Sequence, residues 1–318
     1  LVAVFVAFGA GAMATAQFLP PGIVNYWADV DPFDDVFASH VIDDDGVMHV
    51  VWASQNPYAA PGDSDADIFY SRNEGAGWTF PVAVNPWAAT DIDIDEAPRL
   101  ALDAEGGLHC VWQSRNDAGG SGGDWDVFYR QYLAGTGWLS VEPVNGDAAT
   151  DNGSLWNDDV RPNVAVLGDG TAVVLWQKTG GADHPALRWR ERTKMGWSAD
   201  EEFADYGVAP AAMTTAAEGG IVVAFQYLDP PSGNHAIVFT EKGVEGLWSR
   251  SMIIADATSD NRHPAVATYG SGEDFERHFV WASNSSELGT GTDYDLKHLV
   301  RYTNLGSRGP FTIGPNWL

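Results

Sequence analysis

The chain has 318 residues, with 17 basic against 44 acidic side chains and a formal net charge of −27. At 45 % hydrophobic and 12 % aromatic residues it is too apolar for a disordered acidic tail, and long enough for one large domain with an ample core. So acidic a balance excludes a nucleic-acid binder, which needs a basic face, and docking on anionic lipid.

Leu1 to Ala16 carry no charge and end in the A-x-A pattern Ala14-Thr15-Ala16, ahead of Gln17 and the turn-forming Pro20-Pro21. This reads as the core and cleavage region of a secretory signal peptide, with no membrane insertion after its removal. Residues 17–318 are then expected to form one domain in a secreted, periplasmic or cell-surface protein of bacterial type. Cys110 is the one cysteine, so no intrachain disulfide is available. It lies in the apolar run Leu108–Trp112, as a buried inert thiol would.

Five repeats follow. A short β-rich run ends in an aromatic residue at Trp52, Trp112, Trp176, Phe225 and Trp281, at spacings of 60, 64, 49 and 56 residues. Glycine turns precede the first four runs, and a looser Gly270–Asp274 precedes the fifth. Upstream lies a strand led by Pro98, Pro162, Pro210 or Pro264. Downstream come a third strand (DIFYSR, DVFYRQ, ALRWRE, AIVFTE, DLKHLVRY), then in four units a turn and Trp opening a fourth strand. Period-2 strands with turn signals between them, repeated five times, predict four-stranded antiparallel blades of an all-β β-propeller. A two-sheet sandwich is the alternative fold. The strand-two aromatics are expected to pack between blades. Val24–Ala28 resembles Val84–Ala88, the end of a fourth strand, and predicts a spare strand that closes the ring. A further strand near Phe311–Ile313 leaves five blades with one redundant strand, or a six-bladed ring cut short.

Ser71-Arg72-Asn73-Glu74-Gly75-Ala76-Gly77-Trp78 nearly fits S/T-x-D-x-G-x-x-W, with Asn73 for Asp, between the third and fourth strands. On that motif and its traces at Gly135–Trp138 and Gly246–Trp248, the chain resembles the sialidase-like (BNR/Asp-box) propeller superfamily over roughly residues 24–318. The box is a structural turn, so the resemblance speaks to fold more than to activity.

In an antiparallel four-stranded blade the 1–2 and 3–4 turns share one face, and the 2–3 loops and inter-blade links share the other. The second face carries the long loops and much of the excess acid. Three 2–3 loops end in D-x-D: Asp65/Asp67, Asp124/Asp126 and Asp293/Asp295. Carboxylates so gathered are candidate Ca²⁺ ligands, although Asp also favours turns and strand entry. Arg99, Arg161 and Arg262 flank the strand-one prolines and are candidates for a shared carboxylate-binding pocket. They fall at +1, −1 and −2 from Pro, and alternation would send Arg262 to the opposite side. Trp87, Trp125 and Trp156, beside carboxylates and amides, are candidate sugar platforms.

The resemblance implies a tyrosine nucleophile with carboxylate partners, the exception among glycosidases. Tyr227 and Tyr294 with Glu96 and Glu287 are the candidates. The early arginine motif of that family is missing from Phe33–Phe37. His49, His109 and His278 hold one repeat position in separate blades and are not expected to meet around a metal. The expected function is non-catalytic binding of a carbohydrate or glycoconjugate on the long-loop face, with Ca²⁺ as the one candidate ion. The alternatives are an exo-acting sialidase-type glycoside hydrolase and a structural repeat of a larger surface protein.

Overall fold

The computed structural model describes residues 22–29, 32–55, 65–151, 157–180, 185–243, 246–286 and 293–302. The expected signal segment, Trp156, Glu287 and the strand near Phe311–Ile313 lie outside the described residues. The protein is all-β. Among the described residues, five antiparallel sheets follow one another along the chain. The first is β1 (Asp35–Ile42), β2 (Met48–Ser54), β3 (Asp67–Asn73) and β4 (Val82–Ala83). The second is β5 (Asp95–Leu102), β6 (Leu108–Ser114), β7 (Asp126–Leu133), β8 (Gly137–Trp138) and β9 (Glu142–Pro143). The third is β10 (Asp159–Val166), β11 (Ala172–Lys178), β12 (Ala186–Thr193), β13 (Gly196–Trp197) and β14 (Glu201–Asp205). The fourth is β15 (Gly207–Thr215), β16 (Ile221–Leu228), β17 (His235–Lys242) and β18 (Met252–Ala255). The fifth is β19 (Asn261–Tyr269), β20 (Glu276–Ser283) and β21 (Asp295–Tyr302). In each, the first three strands pair in chain order, so 1–2 turns and 2–3 loops emerge at opposite ends; β9 returns to β7 and β14 to β12. Among the described residues no helix is long and apolar enough to cross a membrane.

Period-2 alternation sends successive residues of strand two to opposite faces, and each face meets the neighbouring sheet. Cys110 and Trp112 pack with Val51, Ala53 and Ile68 of the first sheet. Val111 turns the other way, to Val164, Val174 and Trp176 of the third. Phe225 repeats this between the third and fourth sheets, and Trp281 between the fourth and fifth. In the second to fifth sheets the strand-two aromatic is therefore the wedge between consecutive sheets, as expected; Trp52 of the first sheet packs instead with Trp27 and Phe69.

Two expectations change. The first strands start three residues or more before proline, at Asp95, Asp159 and Asn261, and each carries a bulge there. Ala97, Arg161 and His263 take positive φ in those bulges, as Phe37 does in β1. The period-2 argument about which way the arginines face therefore fails at the very positions they occupy. Among the described residues there is no spare N-terminal strand: residues 25–29 form a turn. Val24 and Trp27 pack on Val50, Trp52 and Phe69 of the first sheet.

The Asp-box-like turn joins β3 to β4. Asn73 Oδ1 accepts from Gly75 N at 2.8 Å, as an Asp would, and Gly75 and Gly77 take the positive φ that turn needs.

Candidate functional site

The links into the second and third sheets are stapled by one repeated polar group. Asn85 Nδ2 donates to Asp67 Oδ1 at 2.6 Å and to Asp95 Oδ2 at 2.9 Å. Trp87 Nε1 and Trp112 Nε1 reach the two oxygens of Asp95, each at 2.8 Å. One repeat later Asn145 Nδ2 donates to Asp126 Oδ1 at 2.6 Å and to Asp159 Oδ2 at 3.1 Å. Trp176 Nε1 donates to Asp159. Asn25 Nδ2 reaches Asp35 at 2.8 Å. A buried carboxylate needs such donors, because an unserved one costs several kcal/mol or neutralises, by roughly the desolvation penalty of the group. Burial still pushes Asp95 up to about 8 and Asp126 up to about 7, and Asp159 well above its ordinary value.

This places several expected site residues. Trp87 is 9 % exposed, packs on Trp112 and Phe128, and is a core wedge, not a sugar platform. Trp125 is half-buried in the 2–3 loop of the second sheet, with the Arg115 guanidinium 5.7 Å from its ring centroid. Tyr294 holds the same D-x-D position in the fifth sheet, is 47 % exposed, and has Arg262 5.5 Å from its ring. Asp293 is exposed, and Asp295 pairs in register with Ser283.

The three arginines occupy three different slots of the bulge. Arg99 is half-buried, its guanidinium on the Pro98 carbonyl at 2.8 Å, and burial lowers its pKa. Arg161 N donates to Gln113 Oε1 at 2.6 Å; Gln113 Nε2 in turn donates to Glu96 at 2.9 Å, and burial raises Glu96. Arg262 instead joins a group that the sequence did not single out. Asp260 accepts from Arg262 Nε at 2.6 Å and Tyr294 Oη at 2.5 Å, and meets His235 Nδ1 at 2.7 Å. Burial alone would raise Asp260, but Tyr294, His235 and Arg262 hold it down at about 2. The bond to Asp260 raises Tyr294. Tyr227 lies in β16, opposite Gly207, with Tyr206 as its ring neighbour, and is not part of this group.

Acidic residues gather at two junctions. Carboxylate oxygens of Asp65, Asp67 and Asp91 lie within 4.8 Å of one another, and so do those of Asp147, Asp151 and Asp159. Lys178 Nζ sits in the second group, 2.8, 2.8 and 3.0 Å from those three. Lys178 was not read from the sequence. The signal was there: it stands where Ser54, Ser114 and Ser283 stand in other sheets.

At the opposite end the 1–2 turns of the first four sheets converge on a cavity of about 580 Å³ lined by Asp43, Asp45, Asp103, Glu105 and Glu218. These carboxylates hold turns together: Asp103 accepts from Glu105 N and Gly107 N, and Glu218 from Gly272 N. His49 joins Asp43 to Tyr70, and His109 joins Asp103 to Tyr129, each within its own sheet. These histidines thus bridge side chains within one sheet, as His278 does between Glu276 and His298. Cys110 is fully buried, and burial raises its thiol.

No protein-family model matches the chain, and no curated protein does. Solved structures do match in fold. A Hadza microbial sialidase is 11 % identical at a TM-score of 0.52, over 85 % of this chain and 56 % of that one. The K499G mutant of the NanB sialidase from Streptococcus pneumoniae is 9 % identical at 0.54, over 88 % and 60 %. An ulvan lyase bound to -[GlcA(1-4)Rha3S]- is 12 % identical at 0.53, over 84 % and 64 %. The chain thus spans less than two thirds of these proteins, and what it shares with them is a sialidase-like all-β fold.

Proposed function

We propose that the five sheets are blades of a β-propeller whose long-loop face binds carbohydrate without turning it over. The convergence of four 1–2 turns on one cavity supports a ring with the first strands innermost. The binding reading is carried by the paired ring and guanidinium at Trp125/Arg115 and Tyr294/Arg262. Both aromatics stand at the middle position of a D-x-D loop, on the face that the loops build. A flat ring covers the apolar face of a sugar, while guanidinium and neighbouring carboxylates serve its hydroxyl and acid groups. The sialidases and the ulvan lyase among the structural neighbours act on saccharides by name, which is consistent with this reading. It carries with it the secreted, periplasmic or cell-surface location expected from residues 1–16.

A glycan panel on the purified protein tests it. Saturable binding to a subset of glycans, lost in Trp125→Ala, is the expected result; a folded protein that binds none contradicts it.

One observation favours the hydrolase reading: Tyr294 and Asp260 form a tyrosine–carboxylate pair beside Arg262. A carboxylate held at about 2 is a weak base near neutral pH, and its bond raises the phenol instead of activating it. The expected result with a fluorogenic α-sialoside is therefore no release. Release that disappears in Tyr294→Phe would establish the hydrolase instead.

A further inference from the structure

We propose that the junction between the second and third sheets is a divalent-cation site, with Asp124, Asp126 and Asp151 as ligands and Ca²⁺ as the fitting ion. Four carboxylate oxygens there are buried and meet no donor from another residue among the described residues: both of Asp124, Oδ2 of Asp126 and Oδ1 of Asp151. Asp124 and Asp126 are 4 % and 1 % exposed. An ionised carboxylate so buried needs a donor or a cation. Protonation does not serve Asp124 either, because the acid O–H would itself need an acceptor.

The fold brings these oxygens to one place. Asp124 and Asp126 flank Trp125, whose backbone is tied to the link into the third sheet. Trp125 N donates to Asp158 Oδ1 at 3.3 Å, and Trp125 O accepts from Asp159 N at 2.7 Å. The charges of Asp151, Asp158 and Lys178 act on Asp124, and those of Asp124, Asp151 and Asp147 act on Asp126.

The neighbouring donors are taken up by other atoms. Asn145 Nδ2 occupies Oδ1 of Asp126 at 2.6 Å and leaves Oδ2. Lys178 Nζ occupies Oδ2 of Asp147, Asp151 and Asp159, and leaves Oδ1 of Asp151. Arg115 Nε donates to the Gly123 carbonyl at 3.3 Å, not to Asp124. The lysine therefore neutralises the link side of the junction, while Asp124 on the loop side has no positive charge bonded to it.

Oxygen donors with no His or Cys select a hard cation. Asp124, with both oxygens open, can bind through one or both. Ca²⁺ accepts such irregular sets, whereas Mg²⁺ demands a near-ideal octahedron. In metal-free protein burial raises Asp126 to about 7, and the ion would take the place of that proton. Bound there, it would tie the loop that carries Trp125 to the third sheet. This inference does not depend on carbohydrate binding.

The test is calorimetric titration of EDTA-dialysed protein with Ca²⁺ at about 0.15 M salt, which screens exposed charges. Circular dichroism checks the fold of each variant. Wild type should bind saturably, and Ca²⁺ should raise its Tm. Asp124→Asn should lose one bound equivalent, and Asp151→Asn should weaken that equivalent at least about tenfold. Asp45→Asn with Glu105→Gln, at the far end of the sheets, should bind as wild type does. Absence of saturable binding, full stoichiometry and affinity in folded Asp124→Asn and Asp151→Asn, or an equal loss in the far-end variant would each overturn the assignment.

Discussion

The second and fifth sheets use the same repeat position in opposite ways. In the second, the strand-one Asp95 is fully buried and its oxygens accept from Trp87, Trp112 and Asn85. In the fifth, Asn261 takes over the wedge tryptophan, accepting from Trp281 Nε1 at 3.1 Å. The neighbouring Asp260 is thereby released toward Tyr294, Arg262 and His235 at the surface. One repeat spends its acid on holding sheets together. The other moves the acid one residue along, where it stays buried and joins an aromatic and a guanidinium that reach the surface. The fourth sheet makes the rule plain by lacking both: Gly207 replaces the acid and Phe225, with no N–H, replaces the tryptophan. Donor and acceptor are bonded in the second, third and fifth sheets and both missing from the fourth, while in the first Trp52 Nε1 has no hydrogen-bond partner among the described residues.

The largest effect should come from breaking the buried staple. Trp112→Phe leaves Asp95 Oδ1 buried without its donor and should cost about 2–3 kcal/mol by denaturant unfolding; no loss would remove the staple from the account. Gly207→Ala comes next. A Cβ there would meet Leu187 Cγ at 2.8 Å and the Ala204 carbonyl at 2.9 Å. Overpacking of that kind costs about 1–3 kcal/mol, so a neutral Gly207→Ala would mean that the fourth sheet has room for a side chain.

The contrast also predicts the pH profile of stability. Burial raises Asp95 to about 8 and Asp126 to about 7, favouring the protonated folded state. Their contribution is full below the ordinary carboxylate value of 3.8 and is lost as pH rises through 7 and 8. Asp260, held at about 2, contributes above 3.8 and loses that as pH falls through 2. Tm should therefore peak at mildly acidic pH and fall toward pH 8. A Tm that climbs from pH 5 to pH 8 would contradict the assignment. The smallest effect belongs to the outer group: Tyr294→Phe leaves Asp260 its bonds with Arg262 and His235 and should cost about 0.5–1 kcal/mol, less than Trp112→Phe.

The repeat, its four-strand grammar and the wedge role of Trp112, Trp176 and Trp281 were legible in the sequence, because period 2 and turn residues are local properties. The bulges were not. Positive φ at Arg161 and His263 follows from packing against Gln113 and Gln226 of the preceding sheet, as the bonds from their backbone N–H show, and no local signal marks it. Once alternation breaks there, the arginine geometry cannot be read by counting. Trp87 was misjudged for a related reason: an indole beside acids reads as exposed until Asp95 is seen to be its buried acceptor. The Asp260 group joins Tyr294, Arg262 and His235 across loops, so only the fold brings it together.

The central question is which end of the sheets binds ligand. The direct measurement is affinity for the best glycan of the panel in two double variants, Trp125→Ala with Tyr294→Ala on the long-loop face and Asp45→Asn with Glu105→Gln at the short-turn cavity. The account predicts a loss of at least about tenfold in the first, the worth of one or two aromatic contacts, and unchanged affinity in the second. Loss in the second with the first unaffected would move the site to the acidic cavity and contradict the reading of the long-loop face.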